Sequence, residues 1–342
     1  VKFRSLSIGL RYERGLNNNE IFIINANAHH AATGIYERDV FGEIKGEIIS
    51  VFWRNPHVRF VLRVNNENGQ EETWEVEFGS VNTVERIGVT RNMVSEGDEV
   101  SVYGRMGRQG SKAIFAGAII LANGEELALN ADIARRYGTE RATPRDLGAN
   151  LDPQVALLKV WVPTDNRPRT GYGGTQYPLT EVAQEAVNAY DPSQDPALRC
   201  IPPGIPTAMD NPYPIQFLAQ GDNLILLLEE WDGVRHIQMT EIENNNWRAH
   251  PRMGHSIGRW GGNSLRISTT QIGWGFIDDL GTPQSENSVI EERFTVSSDG
   301  TQLAWVARIT DPLNFVEPII MEALWIAVPG NELKPFNCSL SE

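Results

Sequence analysis

An all-β protein of two barrels, with two or three short helices, is what this sequence predicts, and three observations carry that reading. Between Phe41 and Leu121, and again between Ile215 and Val328, apolar and polar residues alternate over runs of strand length. Tight-turn pairs separate those runs: Asn68-Gly69, Asp222-Asn223, Asp232-Gly233 and Asp299-Gly300. Helical spacing is confined to short stretches, chiefly those behind Ser80 and Thr180.

The first unit reads strand by strand. Gly42 to Trp53 alternates until Asn55-Pro56 breaks it, and Val58 to Val64 resumes with Phe60, Leu62 and Val64 in phase. Asn68-Gly69 turns the chain, because both residues tolerate positive φ, and Thr73 to Phe78 returns. Ser80 caps a short helix that Gly88 stops. Gly97-Asp98 then leads into Val100–Gly104, and Ala113 to Leu121 completes the set. Three strands, a helix and two more strands is the order of an OB-like barrel.

The residues Gly46, Asn55-Pro56-His57, Trp74, Gly79-Ser80, Gly97-Asp98-Glu99-Val100 and Gly104 carry a resemblance. Over roughly residues 28–130 the chain resembles a domain of unknown function common in exported bacterial proteins. In that family a paired histidine opens the mature domain, and His29-His30 matches it; the resemblance implies no settled activity. Residues 1–28 read as a leader or a disordered extension: Lys2 and Arg4 give a basic start and Ala26-Asn27-Ala28 a small-residue cleavage site, but charged residues interrupt the apolar core. His29 and His30 suit a copper-binding terminus on paper, although no further ligand completes a set. His57, behind a proline at a strand start, reads as structural or exposed.

Residues 131–178 form a linker with short elements, among them a helix over Ala131–Tyr137, a strand over Ala156–Val162 and a glycine- and proline-rich loop over Asn166–Tyr177. From 179 to 342 the pattern is that of an antiparallel, lipocalin-like barrel. A helix capped by Thr180 precedes candidate strands Ile215–Ala219, Asn223–Trp231, Val234–Thr240, Ser264–Ile272, Val289–Ser297, Gln302–Thr310 and Ile319–Val328. Cys200 and Cys338 bracket this unit, so a disulfide between them would close it and tie down its tail; two free thiols are the alternative.

The candidate site comes from polar residues among apolar neighbours. Glu292 shares a face with Ile290, Phe294 and Val296; Glu322 with Ile320, Leu324 and Ile326; Glu230 with Leu224, Leu226 and Leu228. A carboxylate so placed must be paired, hydrogen-bonded or protonated. Gly254 to Trp260 looks like a glycine-rich loop that carries His255, Arg259 and Trp260 to the barrel mouth. His255, His236, Glu292, Glu230 and Glu322 are therefore the expected acid–base residues, and Arg259, Trp260, Trp231 and Arg308 the expected substrate contacts. Structural bridges from these glutamates to Arg293, Arg308 or Arg259 are the competing reading. The Gly-x-Ser-x-Gly match within this stretch lacks the strand and helix that a nucleophile elbow needs.

Residues 200–338 also resemble the C-terminal part of uncharacterised exported bacterial proteins, through Cys200-Ile-Pro-Pro-Gly-Ile-Pro206, Asn211-Pro-Tyr-Pro214, Met253–Trp260, Glu292-Arg-Phe294 and Asp311-Pro312. That family has a histidine in the stretch Pro283-Gln284-Ser285, where this chain has Gln284. The architecture is loosely similar to lipocalin-like hydratases of isoprenoids.

These features predict an acid–base enzyme of lyase, hydratase, isomerase or cyclase type, acting on a small hydrophobic or aromatic molecule in the second barrel. A non-catalytic periplasmic binding protein, or a metal-handling protein using His29 and His30, are the alternatives. The net charge of −14 disfavours nucleic acid and anionic membrane surfaces. No run is long enough for membrane insertion by a helix. No phosphate-cradling glycine loop or zinc spacing is present, so no cofactor is expected. The expected location is periplasmic or secreted, and oligomerisation is left open.

Overall fold

The computed structural model describes residues 35–66, 68–128, 152–164, 177–211, 213–240, 251–328 and 330–340. The leader reading, His29-His30, the helix expected at 131–137 and most of the Asn166–Tyr177 loop lie outside these residues. Among the described residues no helix is long and apolar enough to cross a membrane.

The first unit is the expected OB-like barrel. Strands β1 (Tyr36–Phe52), β2 (Arg59–Asn65), β3 (Glu71–Glu77), β4 (Glu99–Gly107) and β5 (Ala113–Ile120) close as β1-β2-β3-β5-β4, with β3 and β5 parallel. β6 (Glu126–Ala128) extends the edge of β5. Ile48, Phe60, Leu62, Val76, Val102 and Ile114 fill the interior. Closure brings backbones together where the sequence has glycine: a Cβ on Gly104 would sit 2.0 Å from the Phe115 carbonyl oxygen. Helix α1 (Val81–Arg86) follows β3, and Ser80 Oγ accepts from the Thr83 N–H at 3.1 Å, as an N-cap should.

The second unit begins with α2 (Pro153–Leu157) and β7 (Val160–Pro163), so the expected single strand over Ala156–Val162 is a helix followed by a strand. Asp152 caps α2 and Pro153 starts it, which local alternation alone conceals. Helices α3 (Glu181–Ala189) and α4 (Thr207–Asp210) precede eight more strands: β8 (Ile215–Gln220), β9 (Asn223–Leu228), β10 (Gly233–Gln238), β11 (His255–Gly261), β12 (Ser264–Thr270), β13 (Val289–Val296), β14 (Gln302–Thr310) and β15 (Ile319–Ala327). They close with β7 into one nine-stranded barrel, in which β10 and β11 are parallel neighbours and all other pairs antiparallel. The supposed loop Gly254–Trp260 is thus largely strand β11, paired with β10 and β12. The strand expected to reach Trp231 stops at Leu228, because Trp231 and Asp232 take positive φ in a tight turn.

Inside this barrel stand Trp161, Phe217, Leu226, Phe294, Trp305 and Trp325, each with at most 1% of its surface exposed. The barrel axis is therefore packed with side chains. The strand directions send the short hairpins 221–222, 262–263 and 297–301 to one end, and the end of β7, the start of β8 and the connections 271–288 and 311–318 to the other.

A polar seam joins the two units. Arg86 makes a two-pronged ion pair with the buried Glu229. Asn82 Nδ2 donates to Glu229 Oε1 at 3.2 Å, and the Lys334 N–H donates to Glu229 Oε2 at 2.9 Å. Asn55 accepts from the Val81 N–H at 2.8 Å and donates to the Phe336 carbonyl. The tail that carries Phe336 is held by the expected Cys200–Cys338 disulfide.

Candidate active site

Two copies of one local motif sit at the loop-bearing end of the barrel. Asp191-Pro192 and Asp195-Pro196 each open a short 3₁₀ turn, with aspartate as N-cap and proline at the first position. Asp191 is exposed and takes the Ser193 N–H (2.9 Å) and hydroxyl (2.8 Å), and these bonds lower its pKa. Asp195 is buried. Its Oδ1 accepts from the Ala197 N–H at 2.9 Å, and its Oδ2 has no hydrogen-bond partner among the described residues. Burial pushes its pKa up to about 6, against the lowering effects of the Ala197 bond and the charges of His57 and Arg199. One motif thus yields an exposed cap whose pKa is lowered and a buried one whose pKa is pushed up to about 6.

Asp279 lies within electrostatic reach of Asp195, and also of Glu230, Asp278 and Asp210. Burial first, then the negative charges of Asp195, Glu230, Asp278 and Asp210, hold the Asp279 pKa well above the usual carboxylate range. Asp278 is raised by burial too, but it is occupied with its own turn, accepting from Leu280 N–H, Thr282 N–H and the Thr282 hydroxyl at 3.0, 3.1 and 2.8 Å. Glu230 accepts from Asn211 Nδ2 at 2.7 Å.

Aromatic rings stand among these acids. Tyr190 meets Phe276 edge-on at 5.8 Å, and Phe276 meets Trp274 at 5.6 Å. The Trp274 indole donates to the Thr207 hydroxyl (2.9 Å), which donates to the Phe276 carbonyl (3.1 Å), so α4 fixes both rings. Gly281, at φ +78, lies under Tyr190; a Cβ there would come within 2.1 Å of the ring. Burial and the neighbouring carboxylates raise the Tyr190 and Tyr177 pKa values, so both phenols stay neutral at physiological pH.

Of the residues selected from sequence, only Glu230 joins this group, and it does so from the turn after β9. Glu292 does face the barrel interior, but there it is fully engaged. Arg235 grips both its oxygens, the Trp305 indole donates to Oε1 at 2.9 Å, and the Thr269 hydroxyl to Oε2 at 3.3 Å. Its partner is thus Arg235, from β10, three strands away around the barrel, and none of Arg293, Arg308 or Arg259.

His255 and Arg259 alternate with the buried Ser256 and Gly258, which puts them on the outer face of β11. His236 likewise alternates with the buried Arg235 and Ile237, and His255 Nε2 lies 3.4 Å from Gln238 Oε1. Trp260 packs on the core from the far part of β11. Glu322 is on the outer face of β15, opposite Met321 and Ala323. Arg308 is exposed on β14, bonding Thr310 at 2.9 Å. Trp231 packs on Phe336 at 4.9 Å and so anchors the tail.

Sequence reasoning missed Asp195 and Asp279. The repeated Asp-Pro caps were a usable signal for Asp195; nothing local distinguishes Asp279. Gln284 is buried where its two amide atoms can satisfy Ser288, Phe276 and Ile205, a bracing position between loops. The strings Cys200–Pro206, Asn211–Pro214 and Met253-Gly254 meet at this same end: the Ile205 N–H donates to the Arg252 carbonyl at 3.1 Å. Comparison with known proteins finds that residues 21–115 match a family of unknown function (DUF6152). No curated protein matches the chain.

Proposed function

We propose that this protein is a cofactor-independent acid–base enzyme of lyase, hydratase, isomerase or cyclase type, acting on a small hydrophobic or aromatic molecule. With the barrel axis packed, the reaction belongs at the loop-bearing end of the second barrel. The observation that carries the reading is Asp195: a buried carboxyl with an unpaired Oδ2 and a pKa of about 6. A general acid or base works best when its pKa lies near the working pH. Asp279, whose pKa is raised well above the usual carboxylate range by burial and then by the neighbouring negative charges, is the second carboxyl of the site, and two carboxyls in different environments can divide acid and base roles. Tyr190, Phe276 and Trp274 give an apolar substrate its contact surface.

The Cys200–Cys338 disulfide supports placing the protein in the periplasm or outside the cell, where such bonds persist. The charge of −14 supports a neutral or cationic partner over nucleic acid. A periplasmic binding protein for the same class of molecule is the runner-up, and turnover separates the two.

The test is incubation of the full chain in heavy water with a panel of small aromatic and unsaturated hydrophobic compounds, read by mass spectrometry. Deuterium gain or rearrangement should occur with the wild type and with His255→Ala, and be lost in Asp195→Asn. Undiminished turnover by Asp195→Asn would sink the assignment; binding with no turnover favours the binding protein.

A further inference from the structure

Backbone strain in this chain gathers at one knot. Among the described residues six non-glycine positions have positive φ, and four of them belong here: Cys200 (+55), Trp231 (+58), Asp232 (+52) and Asn337 (+48). They surround Phe336, whose ring packs on Trp231 at 4.9 Å and against Ala197, with Cys200 and Cys338 beside them. The Phe336 N–H donates to Asp232 Oδ1 at 3.0 Å. A left-handed L residue costs free energy and persists only where its surroundings impose it. Cys200 stands just past the turn Pro196–Arg199, a position where glycine is the usual residue. From outside that turn it is tied by the covalent bond to Cys338.

Cys338 lies on a strap. Residues 331–340 have neither helix nor strand beyond one isolated bridge, from Cys338 to Asn55, and are held point by point. On the side of the first unit, Asn82 Nδ2 donates to the Lys334 and Pro335 carbonyls at 3.3 Å each, and the Asn55 side chain donates to the Phe336 carbonyl. On the other side, Cys200 ends the turn that Asp195 caps, and the Ala197 N–H of that turn bonds Asp195 Oδ1 at 2.9 Å. One strap therefore fastens the first unit and the Asp195 turn together, and a single covalent bond closes it.

We propose that the Cys200–Cys338 disulfide is a redox latch. Closed, it holds the strap against the Asp195 turn; opened by a dithiol, it lets Cys200 leave the left-handed region, lifts the strap and frees the turn. That the latch thereby regulates proton exchange rests on reading Asp195 as the exchanging carboxyl; the opening itself does not. Both cysteines are half-buried, and the residues flanking them, Arg199, Ile201, Asn337 and Ser339, are exposed, so a thiolate can reach a sulfur. That thiolate attacks one sulfur and the other cysteine leaves as a thiolate; the second thiol of the dithiol then displaces the first cysteine. Two electrons pass to the pair, the dithiol becomes a disulfide, and its two protons end on Cys200 and Cys338. The opening stays local, because the nine strands of the barrel close on one another without the strap.

Hydrogen exchange read by mass spectrometry tests this on the full chain, oxidised and after dithiothreitol in native buffer, with alkylation counting the freed thiols. Two thiols should appear without denaturant. Peptides over 195–200 and 331–340 should then exchange at least about tenfold faster, as a locally opened segment does, while β12–β14 stay unchanged. Reoxidation should restore the slow rates, and Cys200→Ser with Cys338→Ser should exchange fast at the same peptides with or without reductant. A disulfide that resists native reduction, or rates unchanged once two thiols are free, overturns the inference. Faster exchange in β12–β14 as well overturns it too, since the bond would then be a staple of the whole fold. No substrate enters the measurement, so its failure is distinct from failure of the turnover assay.

Discussion

Asp195 costs the folded protein stability, and the sign of that cost gives a test. Its pKa rises from 3.8 in the ordinary case to about 6 here. Between those values the folded chain binds more protons than the unfolded one, so stability falls as pH rises through about 6 and stays low above it. Asn caps a turn as well as Asp. Asp195→Asn should therefore be more stable than wild type at neutral pH, by up to about 3 kcal/mol for a shift of two units. The difference should vanish below about pH 4, as urea melts across pH would show. A destabilised variant at neutral pH would mean that the ionised carboxylate has a structural partner. In the sequence both Asp-Pro caps are legible, but their burial is not, because it depends on where α3 and the disulfide-bonded tail press the second cap. The attraction of His255 was chemical, whereas alternation with Ser256 and Gly258 decides its direction.

Strand alternation was the strongest signal in the chain, and it placed Glu292 on the buried face of β13 correctly. It could not identify the partner. Arg235 reaches Glu292 across the barrel interior only because the ring closes, and closure is a property of nine strands together. Breaking one side of such a pair leaves a buried unpaired charge, so Glu292→Gln should cost about 3–5 kcal/mol. Replacing both residues with Arg235→Met and Glu292→Leu should recover most of that loss in chemical denaturation. A small effect of the single change would show that Ser256 and Thr269, which also bond the guanidinium at 3.0 and 2.6 Å, suffice to hold it. Alternation likewise failed at β11, whose glycines mimic a loop. A Cβ on Gly258 would meet Met239 Sδ at 2.5 Å, so the glycine there answers to packing.

At the scale of the molecule, the disulfide links residues 138 apart and so constrains a long stretch of unfolded chain, a contribution of about 5 kcal/mol in the chain-entropy account. It also carries the tail on which the first unit sits through Asn55, Asn82 and Arg86. Oxidised protein should therefore unfold in one calorimetric transition, and Cys338→Ser should split it into two as the seam loosens. A single transition in both proteins would show that the Arg86–Glu229 pair couples the units without help. Two β-rich units and the cysteine pairing could be read from the chain; the membership of β7 and β11 in the second barrel could not, and neither could the seam, whose residues lie in four separate stretches with nothing local in common.

The ring of the second barrel has an odd number of members, and that has a topological consequence. Neighbours around a closed circle can alternate up and down only if their number is even, so nine strands must contain at least one adjacent pair running the same way. Here that mismatch falls between β10 and β11, and the two match over just Ile237–Ser256 and Gln238–Ile257. No change of side chains can remove it. Inserting one strand between β10 and β11, or deleting either of them, could; deleting β7 could not, since β7 runs antiparallel to both β15 and β8 and its loss would set those two side by side in the same direction.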